Sequence, residues 1–415
     1  MAHGIPVLMY HGIGRVLVDW HWAVLTLAAA TFEGHLQALA RGGYTTVGLP
    51  ELFEYVSAKR ALPRRTVVLT FDDGYLDNWT FAVPLLRRYG FKATIVVTPE
   101  FVDPRDIVRP TLEHVWAGRL TETDLEVRGF MSWRELSAAS ADGTLSVQSH
   151  AFTHTWYPTG PDVVDFHTPG DAHYWLDWNA HPAEKPFYLQ KPGQSRVAWG
   201  TPVYQHAKSL QVTKAFRPDP AEGEYVARRA AEALGERGFE QPGWREVAAR
   251  ALADYRAQHG TRGEFESDAE RRARFERELL ASKQTIEERL GVPVRHFIWP
   301  GGGYCDESMA MARSIYDSVT WSGKDRWTLR NRPGEDAALV TRRGIQSIHA
   351  GSQRAFAGGR YLACFLDEYA GKPGARIGRQ AFKLALMASL RAGIWPRDAS
   401  RRIPPSPRPR AEGDA

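Results

Sequence analysis

Short apolar segments alternate with amphipathic segments of helical period over the first part of the chain and again near residue 300. The apolar segments predict strands at 5–10, 44–47, 66–71, 92–97, from 145 onward and at 295–299. A helical segment follows Thr31, which we expect to cap it, and ends at the glycine pair 42–43. Strands that alternate with helices predict an α/β fold with a parallel sheet or barrel.

This alternation is interrupted after residue 155. Residues 156–211 are rich in proline, glycine, histidine and aromatic residues without a steady period. Helical patterns follow at 221–238, 243–259 and 267–290. We interpret 156–275 as a partly helical insertion, which either lines a substrate cleft or forms a self-packed cap. The residues that would line such a cleft are Trp175, Trp178, His181, Lys185 and Tyr188.

Two carboxylates follow the predicted strand at 66–71. Asp72 and Asp73 come directly after TVVLTF and precede Gly74. Ligand chemistry in parallel α/β folds takes place at the carboxyl ends of strands. Two adjacent carboxylates are costly unless a partner neutralises one of them. A divalent metal on one would leave the other free as a base, whereas an Asp-Gly turn is the plainer alternative.

Two histidines end another strand-like segment. His150 and His154 close the stretch LSVQSHAFTH at 145–154. A spacing of four residues places two imidazoles on one face of a helical turn or on one side of a tight loop. One carboxylate with two histidines makes a three-ligand site with open positions for water and substrate. A histidine pair of this kind is often structural, but the Asp-Asp-Gly motif elsewhere in the chain favours a metal site.

With both motifs in place, the sequence resembles the polysaccharide deacetylase family (NodB homology, carbohydrate esterase family 4). TFDDGY and SHAFTH resemble its first two motifs, PVLMYHGIG resembles its first strand, and FIWPGGGY at 297–304 resembles a variant of its third motif. The resemblance covers roughly residues 5–155 and 276–350. It implies a distorted (β/α) barrel built from 1–155 and 276–355, with a helical C-terminal extension and disordered tail at 356–415. The insertion at 156–275 is the main departure.

The resemblance implies a metal centre and a base. Asp73, His150 and His154 would bind a divalent metal, with zinc expected and cobalt or nickel as alternatives. Asp72 would be the general base that takes a proton from water.

The resemblance also implies groups that act on the substrate. The amide of Gly301 would stabilise the oxyanion, and His349 would protonate the leaving amine, with His11 as the other candidate acid. Substrate-binding residues are expected at His11, Tyr75, Trp299, Pro300 and Trp178.

One expected charge is missing from the third motif. Better-known members of the family carry an arginine there that orients the catalytic aspartate, whereas this sequence has Ile298 and Trp299. Arg342 or Arg343, on a later predicted strand, is the candidate replacement.

Composition narrows the function classes. The formal net charge is +5 and no basic run is interleaved with aromatic residues, so a nucleic-acid partner is not expected. Two cysteines do not make a disulfide framework. No signal peptide or membrane-spanning segment is recognised, and a cytoplasmic location is expected. A basic amphipathic helix at 379–394 is expected to pack on the barrel, or alternatively to rest on an anionic membrane surface.

Three functions are consistent with these observations. The resemblance implies a hydrolase that removes N-acetyl groups from amino sugars of a polysaccharide or its precursor. The motifs themselves indicate metal-assisted hydrolysis without naming the sugar, so another amide or an O-acetyl ester stays open as a substrate. The third is a non-catalytic carbohydrate-binding protein, which is disfavoured because binding alone does not require a base beside a metal triad.

Overall fold

The computed structural model describes residues 3–17, 19–20, 23–168, 173, 176, 181–190, 197–235, 238–323, 328–345, 347–350 and 353–392. Its strands are β1 (Val7–Tyr10), β2 (Gly12–Gly14), β3 (Thr26–Ala28), β4 (Thr45–Val47), β5 (Thr66–Phe71), β6 (Ala93–Val97), β7 (Leu145–Ser149), β8 (Trp156–Phe166), β9 (Pro202–Lys208), β10 (Phe216–Pro218), β11 (Gly263–Phe265), β12 (His296–Phe297), β13 (Ser318–Thr320), β14 (Leu339–Val340), β15 (Arg343–Gly344), β16 (Ser347–Ala350) and β17 (Gln353–Phe356). Its α-helices are α1 (Ala29–Arg41), α2 (Leu49–Val56), α3 (Val83–Tyr89), α4 (Leu112–Trp116), α5 (Trp133–Ala141), α6 (Pro220–Leu234), α7 (Trp244–His259), α8 (Asp268–Glu276), α9 (Ser282–Leu290), α10 (Asp306–Ile315), α11 (Gly359–Tyr369) and α12 (Ala375–Arg391).

The central sheet is parallel and has the strand order β14-β13-β12-β7-β6-β5-β1-β15, with β4 paired to the first half of β5. All six residues of β5 are buried, because parallel strands are covered on both faces and therefore read as continuous apolar runs. The predicted α/β class with a parallel sheet is confirmed.

A split strand joins the two edges of this sheet. β14 pairs with β13 at one edge, and β15 pairs with β1 at the opposite edge. Only Thr341 and Arg342 separate β14 from β15, so the segment 339–344 closes the sheet into a distorted barrel. The interruption leaves Arg342 outside the regular strand pairing, where its side chain can turn toward the carboxyl edge of β5.

Helix α1 shows how the helices cover the sheet. It places Phe32, Leu36 and Leu39 in the barrel core, as its apolar period predicts. The prediction that Thr31 caps this helix is wrong. The helix begins at Ala29 with Ala28 at its N-cap, because β3 leads into it without an intervening loop.

The insertion contains an antiparallel hairpin that the sequence pattern does not reveal. β8 and β9 pair antiparallel, with register shifts between Pro158 and Val163 and between Val163 and Asp165. The first pair of this hairpin, Trp156 with Lys208, directly follows the histidine segment, so the insertion starts at the carboxyl edge of the barrel. The helical patterns predicted in and after the insertion correspond to α6, to α7, and to α8 and α9 joined by a π-helix.

Two helices follow the barrel strands. α11 places Leu362 and Leu366 in the barrel core, whereas α12 packs on α11 through Leu386 and Phe382 beside Tyr361. The C-terminal helix therefore packs on the protein, on α11 rather than directly on the barrel. In the described part of the chain no helix has the length and apolar character to cross a membrane. The tail after residue 392 lies outside the described residues.

Candidate active site

The predicted metal ligands lie at one edge of the sheet. Asp73 follows β5 and His150 follows β7, with β6 between these strands. The carboxyl ends of parallel strands meet at one edge, so these side chains converge. Asp73 and His154 have φ angles of 72° and 49°, in the left-handed region that residues other than glycine rarely adopt. Such strained backbone is found at functional sites, where it directs side chains that a relaxed turn would not.

Asp73, His150 and His154 form a cluster whose side chains could hold a metal ion. Nε2 of His150 and Nε2 of His154 each lie 3.3 Å from Oδ1 of Asp73. The ligand atoms of the three residues lie within 4.8 Å of one another, and no other such group of three is found among the residues described. Two imidazoles and one carboxylate suit zinc and related divalent metals, and three protein ligands leave positions open.

Hydrogen bonding and burial prepare these ligands for a metal. Nδ1 of His150 lies 2.7 Å from the carbonyl oxygen of Ile298. A carbonyl only accepts, so Nδ1 carries the proton and Nε2 faces the site. Burial lowers the pKa of His154 to about 4, which keeps its imidazole neutral at neutral pH. Burial favours a protonated Asp73, but the interactions with His150 and His154 outweigh it and hold the pKa of Asp73 well below its ordinary value.

Arg342 holds the second carboxylate, Asp72. Its two terminal nitrogens lie 2.6 and 2.9 Å from the two oxygens of Asp72, which is 3% exposed. Burial raises the pKa of Asp72, but the charges of Arg342, His150 and His11 outweigh this and hold the pKa below its ordinary value. Asp72 is therefore ionised and fixed in orientation at neutral pH. Of the two predicted arginines, Arg342 supplies the orienting charge.

A cavity of about 260 Å³ opens onto the cluster. Besides the three ligands, its polar lining residues are His11, Lys208 and Gly301. Its aromatic lining residues are Tyr75, Phe101, Phe130, Trp156 and Tyr188. Flat aromatic faces with a few converging polar groups suit a small cyclic ligand that carries polar substituents.

Gly301 lies on the cavity wall in the left-handed region, with φ of 51°. The amides of Gly302 and Gly303 donate to the carbonyls of Trp299 and Pro300. Within the described ranges, no acceptor is found for the amide of Gly301. An amide without an acceptor at the wall of a cavity is available to a ligand oxygen.

Some of the predicted substrate-binding residues line this cavity, and others lie away from it. Tyr75 and His11 line it, and Nε2 of His11 lies 3.9 Å from Oδ2 of Asp72. Trp299 does not line it: this residue is 1% exposed and packs against Phe297 in the barrel core. Pro300 is buried in a short 3-10 turn.

Two predicted residues stay predictions. His349 lies in β16, which pairs with β17 outside the barrel sheet, and its side chain is outside the described part of the structure. Trp178 lies outside the described residues altogether.

Glu278 is a supporting residue that motif analysis misses. It lies in a π-helix, Arg277–Ala281, and is 1% exposed. Its carboxylate accepts hydrogen bonds from the amides of Phe152 and Thr153 at 3.0 and 2.9 Å and from the hydroxyl of Ser209 at 2.6 Å. It thereby ties the histidine segment to the insertion and to the helix that follows. The sequence shows only an acidic residue within a helical segment, which is too common to be a signal.

Fold and site together define a parallel α/β barrel with a two-histidine, one-carboxylate cluster at its carboxyl edge. Residues 59–168, which contain both aspartates and both histidines of the site, match the family model described as polysaccharide deacetylase. The resemblance to the polysaccharide deacetylase family is therefore confirmed over this segment.

Two curated proteins are similar to parts of the chain. The putative polysaccharide deacetylase YxkH of Bacillus subtilis (strain 168) is 36% identical over 91 residues, which are 22% of this chain and 30% of that protein. The poly-beta-1,6-N-acetyl-D-glucosamine N-deacetylase of Escherichia coli (strain K12) is 22% identical over 189 residues, which are 46% of this chain and 24% of that protein. The matches thus span less than a third of the length of either relative.

Among solved structures, the deacetylase domain of BpsB from Bordetella bronchiseptica has a TM-score of 0.47 at 18% sequence identity. The superposition covers 82% of this chain and 94% of that chain.

Proposed function

We propose that this protein is a metal-dependent hydrolase that removes N-acetyl groups from amino sugars of a polysaccharide or its precursor. The observation that carries the proposal is the convergence of three metal-ligating side chains beside Asp72, which Arg342 fixes in the same site. The family match over 59–168 supports the reaction class. The E. coli relative is named for the deacetylation of an N-acetylglucosamine polymer, which motivates the choice of sugar.

Asp73, His150 and His154 would hold the metal, which we expect to be zinc, with cobalt or nickel as alternatives. The residues fit such an ion, because an anionic carboxylate, a neutral His154 and a His150 with Nε2 facing the site are the forms that ligate metals. When bound, the metal supplies a Lewis acid that polarises the acyl carbonyl and lowers the pKa of water.

The chain's own residues carry the proton transfers and the charge. Asp72 takes the proton from the attacking water as general base, and Arg342 keeps this carboxylate ionised and oriented. The amide of Gly301 donates to the developing oxyanion, a contribution typically worth about 3 kcal/mol. His11 is the candidate acid that lies on the cavity wall, and His349 is the candidate implied by the family resemblance.

Acetate release tests the proposal. Protein loaded with zinc is incubated with N-acetylglucosamine oligomers, with an O-acetylated sugar and with a simple acetamide, and free acetate is measured. We expect release from the N-acetylated oligomers, its loss in Asp72→Asn, and wild-type release in the control Asp106→Asn, whose carboxylate is exposed. Acetate release from only the O-acetylated sugar or only the acetamide would contradict the assignment of an N-acetylated sugar as substrate. No acetate release from any of the three compounds would contradict the proposal as a whole.

A further inference from the structure

The insertion contributes a charged side chain to the metal cavity. Lys208, the last residue of β9, lines the cavity together with the three metal ligands. Its Nζ donates to the carbonyl oxygen of Gly301 at 2.6 Å and lies 5.2 Å from the centre of the Trp156 ring. Among the described residues that line this cavity, no other is a lysine or an arginine. The insertion therefore places an amine on the wall of the cavity that the predicted metal ligands also line.

The glycine loop after Pro300 leaves room for this lysine. A Cβ on Gly301 would lie 2.5 Å from Cε of Lys208, and a Cβ on Gly303 would lie 2.6 Å from its Cδ. Both separations are too short for carbon atoms, so a larger residue at either position would push the lysine away. The loop and the insertion are thus fitted to one another, and the lysine is held against Gly301 on the cavity wall.

The ammonium group of Lys208 has more N–H donors than the bond to Gly301 uses. It carries three protons, and the bond to Gly301 uses one of them. In a cavity wall that is otherwise largely aromatic, the remaining protons suit a hydroxyl or carbonyl oxygen of a ligand whose ring packs against Trp156. Burial lowers the pKa of Lys208, so the cost of keeping this group charged falls when a ligand oxygen accepts from it.

We propose that Lys208 is a substrate-binding residue, which donates a hydrogen bond to an oxygen of the N-acetylated sugar beside the acyl group that reacts. The inference rests on the proposed function, because that function supplies the substrate. It makes the insertion a part of the active site instead of a cap that only shields the barrel.

The test compares Lys208→Met and Lys208→Arg with the control Lys214→Met, whose lysine lies in the same insertion and is exposed. Binding of a β-1,6-linked N-acetylglucosamine tetramer to zinc-loaded protein is measured by calorimetry in an Asp72→Asn background, and KM and kcat are measured from acetate release. We expect Lys208→Met to weaken binding and raise KM about tenfold or more, a loss typical of a buried hydrogen bond to a charged group. The value of kcat, the zinc content and the melting temperature should stay near wild type. Lys208→Arg should recover part of the affinity, and Lys214→Met should behave as wild type.

The possible failures are distinguishable. Wild-type binding and KM in Lys208→Met would overturn the inference and leave the proposed function standing. A loss of binding that follows a loss of zinc or of folded protein in this variant would also overturn it, and would assign the lysine to anchoring the glycine loop. A wild-type protein that neither binds nor deacetylates the tetramer would refute the proposed function, and with it the substrate assigned to Lys208.

Discussion

Adjacent aspartates in the site have different partners. Asp72 is held by Arg342 from the split strand, whereas Asp73 contacts the two histidines that follow β7. Because each carboxylate has its own cationic or metal-ligating neighbours, one can serve as a base while the other serves as a ligand. The different surroundings of the two carboxylates are therefore set by residues far from the Asp-Asp pair in the sequence.

Replacing Arg342 with methionine should move the acid limb of the kcat/KM pH profile to higher pH. Burial raises the pKa of Asp72, and Arg342 is the first of the charges that lower it. Without the guanidinium, Asp72 is protonated at pH values where the wild-type base is still ionised. Rates measured across the acid range check this, with Arg332→Met, whose guanidinium is exposed, as the control. An acid limb that does not move would rule out Asp72 as the titrating base.

Asp77→Asn should stabilise the protein, increasingly so as pH rises toward 7. Asp77 is 6% exposed, and its Oδ1 has no hydrogen-bond partner among the residues described. Burial raises its pKa from 3.8 to about 7. The folded state therefore binds this proton more tightly than the unfolded state. Protonated Asp77 therefore contributes to the free energy of unfolding. This contribution is complete below the pKa that Asp77 has in the unfolded state, and it is lost as pH rises to about 7, by at most about 1.4 kcal/mol per pH unit.

Urea unfolding of the wild type and of Asp77→Asn at several pH values measures this difference. The exposed Asp106→Asn serves as the control. A stability difference that does not change between about pH 4 and about 7 would contradict the raised pKa.

Elements that carry a strong local pattern could be predicted, and elements set by distant contacts could not. β5 is a continuous apolar run that ends in two carboxylates, so both the strand and the site at its end are visible in the sequence. The β8–β9 hairpin is hidden because Pro158, Gly160 and Pro161 interrupt its alternation. Trp299 lies in the barrel core, and the sequence could not indicate this because an apolar residue after a strand is equally consistent with a core position and a cavity position.

The choice between Arg342 and Arg343 could not be made from the sequence for a similar reason. It depends on where the last strand is interrupted, and that interruption is fixed by pairing with β13 on one side and β1 on the other.

Glu278→Ala should weaken zinc binding about 10- to 100-fold, the usual effect of removing a group that orients a metal ligand. The carboxylate is the acceptor for two amides of the loop between His150 and His154. Each buried donor left without an acceptor costs about 1–3 kcal/mol, so the loop should rearrange. Competition with a chelator and thermal melting check this, with the exposed Glu276→Ala in the same helical run as control. Unchanged zinc affinity would show that Glu278 does not position the ligands.

The barrel is completed by contacts between the N-terminal and C-terminal parts of the described chain. β1 pairs with β15, and His35 of α1 contacts the carbonyl of Ala357 just before α11. Helix α11 adds Leu362 and Leu366 to the barrel core, so it is a part of the barrel's packing. Helix α12 lies outside that core and packs on α11.

Two truncated chains, one without α12 and one without both α11 and α12, should therefore differ strongly in stability. A chain ending at residue 372 lacks α12 and should keep its fold and activity, with a melting temperature lowered by several degrees. A chain ending at residue 356 also lacks α11, and each lost core leucine costs about 2–5 kcal/mol, so it should not fold. Circular dichroism and thermal melting of the two proteins check this. Equal melting of the shorter chain and the full protein would contradict the assignment of α11 to the core.

Metal content shows directly whether Asp73, His150 and His154 hold a metal ion. Elemental analysis is made on the wild type, on His150→Ala and on the control His259→Ala, an exposed residue at the end of α7, each after reconstitution with zinc. We expect about one zinc per chain in the wild type and the control, and its loss in His150→Ala. A wild type that binds no metal, or a His150→Ala variant that binds as much as the wild type, would contradict the account of this site.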